Sequence, residues 1–407
     1  MDRLNVRLAP RVKRLAWANF AAQSAEQIAV AVAPMVTVLS LGGGVGEAGL
    51  IQTAQTLPLL LFAIPIGLLA DRMSRQRVMV CAEALRVTSF LAIFALAQLH
   101  LLTWPILACL ILLGGCGTAA YSVVAPSLVP ALVPHNSLAA ANSRIELART
   151  CAFALGPTLG GVLVGYTEHA CVFGLAALLS AGALLLLSRV HEPARPIRAH
   201  RHPIEEIREG ARFVFKHPLL RPIFVTQVVF NASFFMLLAV FVPYAISWLG
   251  LDASTVGVIL GIYGVGMIFG ALLASRVVWL LPFGRAVAVG PFSGLIAALV
   301  MTATIVMPSP YFAGLSFFLF GAGPIIWVVT TATLRQTVTP KDMLGRVSAM
   351  NILAQGARPI GAALGAFTGA FYGMHVCLVL ATVGFAIQAG LIVVSPVVHL
   401  VHQPEMT

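Results

Sequence analysis

Hydrophobic stretches of about 20 residues follow one another along almost the whole chain, and a stretch of that length crosses a bilayer as a helix. The connections between them alternate in charge. Those at Leu41–Glu47, Leu99–Trp104, Thr167–Ala170, Trp248–Ser254, Met307–Pro310 and Tyr372–His375 carry no Lys or Arg. The intervening ones carry Arg72, Arg75 and Arg77, then the run from Arg189 to Arg221, then Arg276 and Arg285, then Arg335, Lys341 and Arg346. Arg3, Arg7, Arg11, Lys13 and Arg14 add to the same side from the N-terminus. Basic residues in short loops stay on the cytoplasmic face. The pattern predicts an all-α polytopic membrane protein with both termini in the cytoplasm.

Composition excludes the soluble alternative. Hydrophobic residues make up 59% of the 407 and charged residues 10%, too few to cover the surface of a soluble fold. The net charge of +11 reads as topology signal and attraction to anionic lipid, not as a nucleic-acid interface. Cys81, Cys109, Cys116, Cys151, Cys171 and Cys377 are scattered without metal-ligand spacing, and His200 and His202 sit in a basic linker. No metal, no cofactor and no nucleic-acid partner are expected. The N-terminal apolar run is too long for a signal peptide and reads as an uncleaved first span.

Twelve transmembrane helices are predicted at 15–40, 48–70, 78–98, 104–129, 143–166, 170–188, 219–247, 255–275, 285–306, 311–333, 347–371 and 375–399. They divide into a six-helix bundle at 1–190, a cytoplasmic linker at 191–217 and a second six-helix bundle at 218–407. Within the linker, Pro203 to Lys216 has the pattern of an amphipathic helix lying on the membrane surface. The halves repeat. Gly115, Gly117 and Tyr121 recur as Gly321, Gly323 and Trp327, and the same shift carries Leu128 to Leu334, Pro134 to Pro340, Leu138 to Leu344 and Leu147 to Leu353. A similar shift carries Asn19 and Gln23 to Gln227 and Asn231. Two six-helix repeats describe a secondary transporter. The chain holds no Walker motif, so direct drive by ATP is not expected.

The turn between spans 2 and 3 reads Gly67, Leu69, Asp71, Arg72, Ser74, Arg75 and Arg77. It resembles the signature G-x-L-x-D-R-x-G-R-R of the major facilitator superfamily, with Ser74 in place of a glycine. In span 5, Gly156, Pro157, Gly160 and Gly161 resemble the G-P-x-x-G-G core of that family's antiporter motif. The resemblance covers the whole chain and implies the major facilitator fold, two pseudo-symmetric six-helix bundles. It implies a gating role for Gly67, Asp71, Arg72, Arg75 and Arg77 and for Gly156, Pro157, Gly160 and Gly161, the last four in a motif that goes with export in exchange for protons. The glycines are expected to allow tight contact with the opposite half, although simple helix packing explains them as well. One departure is Ile111, where the drug-antiporter pattern of span 4 has an arginine. Glu83, Arg86, Asn142 and Ser143 look more like the branch that holds macrolide efflux proteins and the enterobactin exporter.

Of the 14 acidic residues, Glu26, Glu83 and Glu146 fall within the expected spans, all in the first half. An ionisable residue at bilayer depth is a functional candidate by default. Glu26 shares one helical stripe with Asn19, Gln23 and Gln27. Burial favours the neutral form of a carboxylate, the property a proton carrier needs. Glu26 is the first candidate for proton coupling and Glu146, with Arg149 three residues on, the second. Glu83 and Arg86 are one turn apart and read as a structural pair. Asn19, Gln23, Gln27, Tyr121, Gln227, Asn231, Phe234, Trp327 and Arg358 are the candidate lining of a substrate cavity. Tyr121 and Trp327 serve packing equally well on residues alone. Phe235 adds a second ring beside Phe234, and Arg358 is expected to meet Glu26, Glu146 or an anionic ligand.

The expected function is secondary active export of a small amphipathic compound, a drug, macrolide-like molecule or siderophore, by proton antiport and alternating access. The protein is expected to act as a monomer in a bacterial inner membrane. Uptake by symport and lysophospholipid flipping are alternatives on the same fold. A membrane sensor or scaffold that moves nothing is an alternative of another class. A membrane enzyme is not expected, because the carboxylates form no cluster.

Overall fold

The structure, a computed structural model, describes residues 10–132, 138–167, 171–190, 203–340 and 343–403. Within these, helix follows helix. The first six are α1 (Pro10–Leu39), α2 (Val45–Arg72), α3 (Arg75–Gln98), α4 (Trp104–Leu132), α5 (Leu138–Tyr166) and α6 (Val172–Ser188). Next come α7 (Pro203–Lys216), α8 (Leu220–Ser247), α9 (Ala253–Leu280), α10 (Phe283–Ala303) and α11 (Pro310–Val338). The last are α12 (Leu344–Gln355), α13 (Ala357–Phe371) and α14 (Met374–Val394).

Local chemistry sets the helix starts. Ser74, where the signature has glycine, is the N-cap of α3, and its Oγ accepts from the Arg77 amide at 3.4 Å. Asp252 does the same for α9, accepting from the Thr255 amide at 3.2 Å. Its bonds to Thr255 hold the carboxyl below the usual carboxylate range. His217 caps α8 with a ring nitrogen. Its Nδ1 accepts from the amides of Leu219 at 3.2 Å and Leu220 at 3.4 Å. Partial burial holds this imidazole below the ordinary histidine value.

Among the described residues ten helices are long and apolar enough to cross a membrane: α1 to α5, α8 to α11 and α14. Helix α6 is a shorter apolar helix of 17 residues. The expected continuous span 347–371 is instead two helices, α12 and α13, meeting at Gly356. Pro359 supplies the reason. It has no amide to give the Gln355 carbonyl four residues back, and its ring crowds that carbonyl. The ladder therefore tightens, and the Gly356 amide bonds to the Leu353 carbonyl at 2.9 Å.

The chain separates into two compact units, residues 1–43 with 54–198, and residues 44–53 with 199–407. In the first, α1 packs on α5 and α6, and α3 packs on α4 and α6. In the second, α8 packs on α13 and α14, and α10 packs on α11 and α14. Taking α12 and α13 as one position, these are the same pairings six positions later. The first turns of α2 belong to the second unit, where Gly49 lies against the backbone of Ala366 on α13.

The repeated glycines carry the repeat at atomic level. A methyl group on Gly115 would meet Pro58 and the Gln55 carbonyl of α2, and one on Gly321 would meet the Tyr263 carbonyl of α9. A methyl group on Gly117 would strike the Ala82 carbonyl of α3, and one on Gly323 would strike Ser293 of α10. In each unit the fourth span uses one glycine to approach the second span and the other to approach the third. Close backbone approach of this kind drives helix association in lipid, where no hydrophobic force acts between helices.

Helix α7 is amphipathic. Val214 is buried, and Gly210 sits against the backbone of Arg346 on α12, while Arg208, Arg212 and Lys216 face outward. Glu209 and Arg346 join the two helices at 2.8 Å.

Candidate functional site

One face of α3 is buried along most of its length: Val78, Met79, Ala82, Glu83, Arg86, Ser89, Phe90 and Ile93. The spacing is that of a single helical stripe; α4 and α6 cover it, and Arg86 reaches α1 from it. The same packing that buries the apolar members also buries Glu83 and Arg86, both 0% exposed. Buried charges require partners. Arg86 Nη1 donates to Glu83 Oε1 at 2.8 Å and to the Ala22 carbonyl at 3.1 Å. Its Nη2 donates to Thr118 Oγ1 at 2.9 Å and lies 3.5 Å from Glu26 Oε2.

Glu26 therefore does not act alone on its polar stripe. It faces Arg86, and with Glu83 it makes a cluster of two carboxylates and one guanidinium. The Glu26 side chain is 18% exposed and is the member of the cluster that reaches the surface. Tyr121, on α4, is near enough to the three charges to interact with them. Spacing gave the Glu83–Arg86 pair, but nothing in the sequence places α1 against it. Its only signal was that the buried carboxylates share the first half of the chain.

The other stripe residues have separate tasks. Asn19 donates to the Ile145 carbonyl of α5 at 3.1 Å. Gln23 and Gln27 are buried, and Gln27 lies against Gly156. Gly156 and Gly160 of the span 5 motif receive Gln27, Ile28 and Val32 of α1. Pro157 and Gly161 are buried within the same helix. Glu146 is largely exposed and is held by Arg149, whose Nε donates to Oε2 at 3.0 Å. Arg149 also lies over the Phe153 ring at 5.3 Å.

Three expected cavity residues are core. Tyr121 is 2% exposed, packed in the cluster of the first unit with Met79, Ala82 and Val124. Trp327 packs against Gly290 in the second unit. Phe234 is enclosed by Phe230, Tyr263 and Phe320, with ring centroids 5.2 to 5.7 Å away. Large rings in both units fill the space where helices cross, which explains why sequence position alone did not separate packing from lining.

Arg358 meets two groups of its own unit. Its Nε donates to Asn231 Oδ1 at 3.1 Å, and its guanidinium lies 5.3 Å from the centroid of the Phe235 ring. Asn231 in turn donates to the Gln227 carbonyl at 2.9 Å. Phe235, not Phe234, is the ring that meets the cation. The break at Gly356 places Arg358 in the first turn of α13.

Of the signature turn, Gly67 lies beside Val123 of α4, Arg75 is partly buried and Arg77 is exposed. The side chains of Asp71 and Arg72 lie outside the described part of the structure, as do those of Asn142 and Ser143.

The profile described as Major Facilitator Superfamily matches residues 15–366. The enterobactin exporter EntS of Citrobacter koseri is 29% identical over 290 residues, covering 70% of this chain and 67% of that protein. The protein of the same name from Salmonella choleraesuis is 29% identical over 309 residues, covering 74% and 70%. Among solved structures, a bacterial homolog of the human lysosomal transporter Spinster aligns with a TM-score of 0.74 at 15% identity, covering 98% of each chain. With its helical architecture and a profile match across most of its length, the chain belongs to the major facilitator superfamily and is an integral membrane transporter, not an enzyme.

Proposed function

We propose that the protein exports a small amphipathic compound from the cytoplasm in exchange for protons, and that Glu26 carries the proton. The observation that carries this reading is the Glu26 side chain, partly exposed on α1 while its Oε2 lies 3.5 Å from the fully buried Arg86. An acid that reaches solvent and is held by a charge at bilayer depth can exchange protons without leaving its partner. Glu146 is set aside as a carrier, because Arg149 holds it at an exposed position.

Two six-span halves, residues 1–190 and 218–407, joined by a linker at 191–217, alternate access to the cargo. On the second unit Gln227, Asn231, Phe235 and Arg358 meet it, an aromatic face beside a cation and amides. Such a set suits an amphipathic molecule with aromatic or anionic parts. The name shared by several relatives, enterobactin exporter, supports efflux of a siderophore-like compound. The protein works as a monomer in a bacterial inner membrane with both termini in the cytoplasm. Asp71, Arg72 and the neighbouring arginines gate the cycle.

Inside-out vesicles with an imposed proton gradient and a pH-sensitive dye test this. Siderophores, macrolides and dyes are added in turn. A compound that triggers proton efflux in the wild type and not in Glu26→Gln supports antiport through Glu26. Gradient-driven flux retained at the wild-type rate in Glu26→Gln overturns its role.

A further inference from the structure

We infer that Arg335, with the side-chain amides of Gln227 and Asn351, forms an oxyanion site in the second unit, and that this site receives an anionic group of the cargo, such as a carboxylate. The inference deepens the export reading and rests on it for the identity of what binds, since the cargo is taken to meet Gln227, Asn231 and Arg358.

The sequence counts Arg335 with a basic connection, but it lies in the last turn of α11 and is partly buried, while Gln336 beside it is exposed. A cation in a last turn is favoured by the helix dipole, and a long basic side chain at a helix end ordinarily carries its head to water. Those effects explain the charge and not the burial. Arg335 lines a cavity of about 20 Å³ formed by α7, α8, α11 and α12, all within the second unit. Ile223, Phe224 and Met350 make much of its wall. A guanidinium against such a wall needs acceptors. Among the described residues Arg335 has none, neither a hydrogen bond nor an ion pair. No Asp or Glu occurs in α8, α11 or α12, and Glu209 on α7 is held by Arg346 at 2.8 Å.

The other polar members of the cavity are in the same condition. The side-chain amides of Gln227 on α8 and Asn351 on α12 make no hydrogen bond among the described residues. Donor-bearing groups thus converge from α8, α11 and α12 around one fixed positive charge. That charge repels a cationic ligand. The planar fork of a guanidinium matches an oxyanion, and each amide can add its NH2 group. The volume admits one water-sized group, so an oxygen of the ligand enters while its body stays outside. Gln227 links the cavity to the residues that meet the cargo. Its backbone carbonyl accepts from Asn231 one turn further along α8, and Asn231 accepts from Arg358 at 3.1 Å beside the Phe235 ring. Two cationic stations therefore adjoin along α8. Gln227 is nearer than Asn231 to the basic linker, the cytoplasmic side of the proposed topology. Arg335 is thus the first station for a compound leaving the cell, and Arg358 the second.

Probes that share one fluorophore test this: dansylglycine, a carboxylate; dansylamide, which is neutral; and dansylcadaverine, a cation. Each is titrated onto the full-length protein in phosphatidylcholine nanodiscs and onto empty discs, with fluorescence as the readout. The wild type is expected to bind dansylglycine more tightly than the other two by at least about tenfold, the scale of one charged hydrogen bond. Arg335→Gln is expected to abolish that preference, and Arg335→Lys, which keeps the charge, to restore part of it. Equal affinities for the three probes in the wild type, or a preference that survives in Arg335→Gln, overturn the site. Should Arg335→Gln fail to insert, Asn351→Leu decides, and an undiminished preference for dansylglycine overturns the site. Other sources of the anion are separated by competition. Displacement of dansylglycine when phosphatidylglycerol is added to the bilayer assigns the site to a lipid headgroup. Displacement by inorganic phosphate at equal concentration assigns it to free phosphate. Either overturns the cargo role. The two readings fail separately. Dansylglycine binding lost in Arg335→Gln but untouched in Arg358→Gln removes the cargo lining around Arg358 and leaves the oxyanion site standing. Binding lost in Arg358→Gln alone removes the oxyanion site and leaves that lining standing.

Discussion

Arg86 contacts four separate groups while wholly enclosed, so it is the residue whose loss the first unit tolerates least. Arg86→Met leaves Glu83 buried without its cation, and breaking a buried pair by removing one partner costs about 3–5 kcal/mol. The double variant Glu83→Leu with Arg86→Met removes both charges and is expected to be less destabilised than Arg86→Met alone. Thermal unfolding in detergent of the two single variants and the double variant checks this. A double variant as unstable as the sum of the singles would mean that the two residues do not act as a pair. The sequence made the pair legible, because residues three apart on a helix are neighbours whatever the fold. It did not make Glu26 legible as their partner, since that contact depends on how α1 and α3 pack. For the same reason Arg358 could be recognised as an expensive residue but not matched to Asn231 and Phe235.

At the scale of the element, the helix ends carry testable consequences. The His217 ring caps α8 only while Nδ1 has a lone pair to accept with, that is, in the neutral imidazole. Its folded value lies below the ordinary 6.5, so between the two the unfolded chain binds more protons and stability rises with pH. The contribution is fully present above about pH 6.5 and is lost as pH falls through the folded value. His217→Asn, which keeps a capping oxygen but does not titrate, is expected to flatten this part of the stability profile. Unfolding midpoints measured at a series of pH values across the histidine range would show it. A profile unchanged by the substitution would mean that the cap contributes nothing. Helix existence was readable from hydrophobic length almost throughout. The break in the eleventh span was not, because α12 and α13 together keep the composition of one continuous span. The glycine register was readable as a repeat, but which neighbours the glycines serve appeared only with α2, α3, α9 and α10 in place.

For the molecule as a whole, the alternation of basic and uncharged connections is a topology that reporters can test. Fusions at the connections without Lys or Arg, such as Leu99–Trp104 and Trp248–Ser254, are expected to give active alkaline phosphatase. Fusions after Ser188 and after Val401 are expected to give fluorescent protein instead. Signals of the opposite kind at either set would reverse the orientation. Charge could speak for orientation because lipid charge and membrane insertion read it directly. Cargo has no comparable trace in one chain, since it is read by side chains from distant spans. The joint at Gly356 has a mechanical meaning for this architecture. An unbroken helix transmits a bend along its length, whereas a tightened turn with a missing ladder bond bends locally. Helix α12 is clamped to α7 through Glu209 and Arg346, while α13 is packed against α8. A tug on the surface helix by a thinning or thickening bilayer is therefore expected to reach the twelve residues of α12 first and to bend the chain at this joint, with α12 held on its other side by α8.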